Sequence, residues 1–148
     1  MIYIGIDPGQ SGAMAILNEG STVAIPFKNL TEDDLWTDPF THLQLDGEGK
    51  CFAMIEKVGA MPGQGVVSMF TFGQHYGMLR AFLCAARVPR EMVTPQKWQK
   101  YLGCMSHGDK NVTKAMAQRL FPSVKITHAI ADALLIAEYC KRIKQANG

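Results

Sequence analysis

The sequence predicts an α/β fold in which a mixed central sheet is flanked by helices, all in a single domain spanning residues 1–148. Three observations lead there. The chain opens with three short strand-like runs joined by tight turns. Two later apolar stretches, at Cys51–Ile55 and Met92-Val93, supply further strands, and helical patterns dominate the remainder. At 148 residues the chain has the size of one ordinary domain and can bury a real core.

The elements follow in order. Ile2–Asp7 alternates, with Ile2, Ile4 and Ile6 on one face and Tyr3, Gly5 and Asp7 on the other. Pro8-Gly9-Gln10-Ser11-Gly12 is dense in turn formers and ends the strand. Ala13–Leu17 and Thr22–Pro26 read as two more strands around Asn18-Glu19-Gly20, which predicts an antiparallel meander. Thr31 and Asp34 have the spacing of a capping box, so a helix is expected to start there, and Pro39 would interrupt it. The acidic stretch onward to Lys50 carries no clear pattern. Cys51–Ile55 is an unbroken apolar run ending on Glu56, and Gly59 to Gly65 is a loop containing Pro62. Val66 to Ala86 predicts a long helix, whose Gly73 and Gly77 lie one turn apart and leave a shallow groove for another helix. Met92-Val93 is a short strand, and Pro95 opens a helix through Leu102. Lys110–Phe121 and Ala129–Lys144 complete the chain as helices separated by Pro122. There is no internal repeat and no linker.

Composition narrows the function classes. Apolar residues make up 47% and charged residues 19%, which is globular, and no apolar run approaches the ~18–20 residues of a membrane span. The N-terminus enters a strand with no basic flank or cleavage signal, so the expectation is cytoplasmic. Cys51, Cys84, Cys104 and Cys140 are widely spaced without a CxxC pair, which argues against a zinc cluster and for free thiols in a reducing compartment. Net charge is only +2, but it is unevenly divided. Residues 18–49 hold one Lys against seven acids, a net of −6. Residues 87–125 hold eight Lys or Arg, Lys97, Lys100, Lys110 and Lys114 among them, against Glu91 and Asp109, a net of +6. Such a segment fits a phosphate backbone as well as it fits a solvated helix surface.

Three acids stand where a merely structural acid is awkward. Asp7 ends one apolar strand and Glu56 another. Asp132 lies in Ala129-Ile130-Ala131-Asp132-Ala133-Leu134-Leu135-Ile136-Ala137, a helix apolar on nearly every side and therefore buried. A carboxylate there needs a partner or a metal, because desolvating it alone is costly. Singly, Asp7 could hold its turn, Glu56 could be an exposed strand end, and Asp132 could pair with a distant Lys. Together they suggest a shared hard cation, Mg²⁺ or Mn²⁺.

Ile4-Gly5-Ile6-Asp7-Pro8-Gly9-x-x-Gly12 resembles the first motif of the RuvC-type Holliday-junction resolvases. Ala53-Met54-Ile55-Glu56 is similar to the second, and Ala131-Asp132-Ala133-Leu134-Leu135-Ile136-Ala137 to the last. Phe70-x-Phe72-Gly73-x-x-x-Gly77, Pro95-x-x-Trp98 and Leu120-Phe121-Pro122 further resemble the compact members found in phages and some bacteria. The likeness covers nearly the whole chain in order. The first motif alone is weak, since an Asp-x-Gly turn also opens actin-like sugar kinases.

The resemblance implies a ribonuclease H-like fold, with antiparallel strands followed by parallel ones, acting as a homodimer on four-way DNA junctions. Asp7, Glu56 and Asp132 map onto three of the family's four metal ligands. The fourth is usually an acid or His shortly before the last Asp. Here Ala129 stands three residues before Asp132, while His128 stands one helical turn before it and is the candidate, although a cap-region or surface His fits equally. Lys100 and Lys110 fall where the family places basic residues near the scissile phosphate, and the Gly103–Gly108 loop between them is expected to be flexible and close to DNA. Family members often carry an aromatic wedge shortly after the second acid. This chain departs from that pattern and reads Lys57-Val58-Gly59-Ala60-Met61 there, where Met61 could wedge between bases.

The implied chemistry is two-metal phosphodiester hydrolysis leaving a 5′-phosphate, with Lys110 offsetting charge in the transition state. Rival readings are a nuclease of the same fold acting on flaps or other branches, a catalytically silent DNA-binding module, and an actin-like ATPase. The short chain and the lack of a second glycine-rich phosphate loop count against the ATPase.

Overall fold

β1 (Ile2–Asp7), β2 (Ala13–Asn18) and β3 (Ser21–Pro26) form the antiparallel meander that their turn spacing predicts, with Tyr3 opposite Leu17 and Ala15 opposite Ala24. The structure is a computed structural model that describes residues 1–41, 43 and 50–148. Asp46 and Glu48 of the acidic stretch lie outside the described residues. Thr31 and Asp34 close the expected capping box, the Thr31 hydroxyl accepting from the Asp34 N–H at 3.2 Å and the Asp34 carboxylate from the Thr31 N–H at 2.9 Å. The helix they start, α1 (Glu32–Leu35), passes into a π-helical turn over Trp36–Phe40. Pro39 lies inside that turn and Asp38 before it is extended, as a residue preceding proline prefers.

β4 (Cys51–Glu56) pairs with β1 in parallel, Ile4 opposite Ala53 and Ile6 opposite Ile55. β5 (Arg90–Val93) begins two residues before the expected strand and pairs parallel to β4. Among the described residues the sheet order is β3-β2-β1-β4-β5, the mixed arrangement predicted. Between and after these strands run α2 (Val66–Ala85), α3 (Pro95–Leu102), α4 (Lys110–Leu120) and α5 (His128–Asn147). The sequence supplies their ends. Thr94 accepts from the Lys97 N–H to cap α3, which closes on left-handed Gly103, and Asp109 caps α4 through the Asn111 N–H.

The strand alternation decides which helix covers which face. Ile4, Ile6, Ala53 and Ile55 pack with Leu79 and Leu83 of α2 and with Phe27 and Phe40. Tyr3, Ala15 and Met54 point the other way, into a second apolar layer built by α3, α4 and α5. In α5 nearly every residue from Ile130 to Cys140 is buried, as its all-round apolar pattern requires. α5 crosses β1 and β2 closely because Gly5 has no side chain. A Cβ there would collide with the Ala137 nitrogen and the Ala133 carbonyl oxygen. Cys51, Cys104 and Cys140 are buried and Cys84 is exposed. Among the described residues no helix is long and apolar enough to cross a membrane.

Candidate active site

Asp7 and Glu56 leave the sheet side by side. Ile6 lies opposite Ile55 in the parallel β1–β4 pair, so the next residue of each strand emerges at the same carboxyl edge. The alternation that sends Ile6 and Ile55 toward α2 turns Asp7 and Glu56 toward the α5 layer. Asp132 comes down from α5 through the close approach at Gly5. All three predicted acids thus reach one place from three elements.

Their electrostatics record the meeting. Burial pushes the Asp7 carboxyl well above the usual range, the charges of Glu56 and Asp132 push it further, and Lys110 pulls it down. Burial also lifts Glu56, from the ordinary 4.5 to about 7, with the Trp98 hydrogen bond opposing and Asp132 adding. Asp132 is raised by burial against the opposing effects of the Thr113 hydroxyl, Lys110 and His128. Glu56 has one oxygen committed, because the fully buried Trp98 indole donates to Oε2 at 2.8 Å. Asp132 Oδ1 is buried and has no hydrogen-bond partner among the described residues.

The chemistry of this donor set is that of a hard divalent cation's ligands. Three mutually repelling carboxylates, one of them with an unpartnered buried oxygen, offer hard anionic ligands in a site that penalises their charge. As they stand, no three His, Cys, Asp or Glu side chains among the described residues are close enough together to enclose one ion. Closing around a cation therefore requires side-chain adjustment, and Glu56 is the acid whose freedom is restricted by a hydrogen bond.

The remaining predicted residues divide. His128 is exposed at the first position of α5 and within electrostatic reach of Asp132. Lys110 is exposed at the start of α4 and acts on both Asp7 and Asp132. Lys114 follows it by one turn and is half-buried, while Lys97 and Lys100 are exposed on α3. Met61 is 65% exposed beside an open apolar cleft of about 720 Å³ that Val58, Met69, Phe72 and Pro95 also line. The Gly103–Gly108 loop, expected to be flexible, is anchored at Ser106. Gln99, itself buried, accepts from the Ser106 N–H at 3.0 Å and from its hydroxyl at 3.1 Å, which ties the loop to α3.

Sequence reasoning gave no role to Trp98, Thr113 or His75. Trp98 carried a signal, an aromatic with a polar N–H on the buried face of an amphipathic helix, which needs an acceptor. Thr113 carried none, being one hydroxyl among many.

No family model and no curated protein matches this sequence. Solved structures do. Thermus thermophilus RuvC superposes with a TM-score of 0.62 at 16% identity, covering 97% of each chain. T. thermophilus RuvC in complex with a Holliday junction substrate gives 0.63 at 15% identity, covering 97% of this chain and 96% of that one. The yeast mitochondrial Holliday junction resolvase gives 0.55 at 15% identity, over 96% of this chain and 78% of that one. The likeness establishes the RuvC-type, ribonuclease H-like fold.

Proposed function

We propose that this chain is a metal-dependent, structure-specific endodeoxyribonuclease that nicks four-way DNA junctions. The observation that carries the reading is the convergence of Asp7, Glu56 and Asp132 from β1, β4 and α5, with an unpartnered buried oxygen on Asp132. It occurs on a fold that T. thermophilus RuvC, seen with a Holliday junction, also has.

Asp7, Glu56 and Asp132 would hold Mg²⁺ or Mn²⁺, with His128 as a fourth ligand from the start of α5. When bound, such ions supply an activated water and offset charge on the phosphate. Trp98 orients Glu56 through its indole N–H. Lys110, which acts on two of the acids, would offset developing phosphate charge. Lys97 and Lys100 of α3 and Lys114 of α4 would hold the flanking backbone. Two nicks per junction call for two such centres, which a two-fold homodimer provides.

The test compares a synthetic four-way junction, a flap and a plain duplex with Mg²⁺ and with chelator. Paired nicks in the junction alone, lost with chelator, are expected. Asp7→Asn should reduce nicking to below a few per cent while junction binding stays intact, since it removes a ligand and leaves the lysines. Equal cutting of the flap assigns a general branch nuclease instead. Tight binding without cutting assigns a DNA platform.

A further inference from the structure

The turn that follows Asp7 is held by a residue far away in sequence. Gly9 is buried, its backbone N–H with it, and lies in the left-handed region at φ 104°. A buried backbone donor needs an acceptor, and this one finds His75 Nδ1 of α2 at 3.2 Å. Phe72, one turn earlier on α2, sits against the same glycine, where a Cβ would approach its ring to 3.0 Å.

The contact belongs to a closed ring of interactions. The Gly12 N–H donates to the Gly9 carbonyl at 3.0 Å, and the Phe27 N–H donates to the Gly12 carbonyl at 3.0 Å. The Phe27 ring then meets the His75 imidazole edge-on, centroids 5.0 Å apart. His75 completes the circuit by accepting from Gly9. Gly12 is also confined, because a Cβ there would collide with the Asp7 carbonyl oxygen. The turn that leads out of Asp7 toward β2 is therefore held by this bracket.

We infer that His75 is a positioning residue for the candidate centre: its unprotonated Nδ1 holds the Gly9 N–H and so sets the backbone from which the Asp7 carboxylate projects. Accepting at Nδ1 puts the ring proton on Nε2, which is buried without a partner among the described residues. Burial holds the imidazole below its usual range, opposed by exposed Glu32 at the start of α1, so the neutral ring that the contact requires is the favoured one. A leucine at position 75 would satisfy the packing against Phe27 and relieve the unpaired Nε2. It would leave the Gly9 N–H without an acceptor. The inference rests on Asp7 being part of the metal centre.

Nitrogen NMR of the full chain, Gly9 amide exchange and Mg²⁺ titration test it together. The wild type should show His75 as the Nε2–H tautomer with a protected Gly9 amide. His75→Leu should speed Gly9 exchange and weaken Mg²⁺ binding, each by roughly tenfold. His75→Asn, whose Oδ1 can stand in for Nδ1, should recover most of both. Unchanged exchange and Mg²⁺ affinity in His75→Leu would overturn the inference, as would an Asn variant no better than the Leu variant. Should His75→Leu not fold, the wild-type tautomer and the Asn variant decide: an Nδ1–H ring refutes the contact. A wild type that binds no Mg²⁺ and cuts no junction refutes the proposed function instead, and the tautomer and Gly9 protection would still report the bracket.

Discussion

Glu56 shows what it costs to bury an acid, with a second one nearby. Its carboxyl titrates near 7 in the folded chain against an ordinary 4.5. Between those values the folded state holds a proton that the unfolded chain has released, so stability is greatest at the acid end and falls as pH rises through 7. The full effect is on the order of 3 kcal/mol, and Asp7 and Asp132 shift in the same direction. Metal-free protein should therefore melt lower at about pH 8 than at about pH 5.5. Glu56→Gln, which keeps an acceptor for Trp98, should flatten that slope and melt higher than wild type at the alkaline end. Thermal denaturation in chelator reads both. A Gln variant that melts lower than wild type at high pH would show that the Glu56 charge is stabilised rather than penalised.

At the scale of elements, the centre depends on how closely α5 lies on β1. The strand and helix meet at Gly5, where added Cβ atoms have backbone rather than side-chain neighbours. Backbone cannot rotate away, so the whole helix must lift. Gly5→Ala should cost about 3 kcal/mol, at the upper end of overpacking, and lower the melting temperature by roughly 10 °C. Because Ala133 and Ala137 bracket the contact, Asp132 would move with the helix and Mg²⁺ affinity should fall as well. Calorimetry and metal titration on the same sample would check it. A wild-type melting point would mean that α5 is not seated on Gly5.

For the whole molecule, charge and exposed apolar surface divide the labour. Lys97 and Lys100 of the basic segment lie on α3 and Lys110 and Lys114 on α4, with Lys110 acting on Asp7 and Asp132, so the proposed function would lay the phosphate backbone across these helices. The outer side of α2 has a different character. Val66 and Phe70 are 86% and 67% exposed, and Gly73 and Gly77 have open space where side chains would be. Small residues under an apolar stripe suit a second copy of the same helix, as their one-turn spacing suggested. Sedimentation at micromolar concentration should show a dimer, and Phe70→Asp should shift it to monomer and turn paired junction nicks into single ones. A wild-type monomer that still makes paired nicks would remove the dimer from the mechanism.

Much of this was legible along the chain because it is local. The alternation of β1, the apolar run of β4, the capping box at Thr31, the opening of α3 at Pro95 and the all-round burial of α5 each follow from a few adjacent residues. They identified Asp7, Glu56 and Asp132 as acids in costly positions. Less local features were not legible. The helix is interrupted at Asp38-Pro39 as expected, but the π-helical turn around the kink was not foreseen, nor were the hydrogen bonds by which Gln99 ties the Gly103–Gly108 loop to α3. Placing β4 beside β1 in parallel, seating Trp98 on Glu56 across 42 residues, and bringing His75 to Gly9 across 66 were decided only in the tertiary structure. Periodicity says which face of an element is apolar. Which distant donor meets which acceptor depends on how those faces pack, and no short window of sequence contains that information.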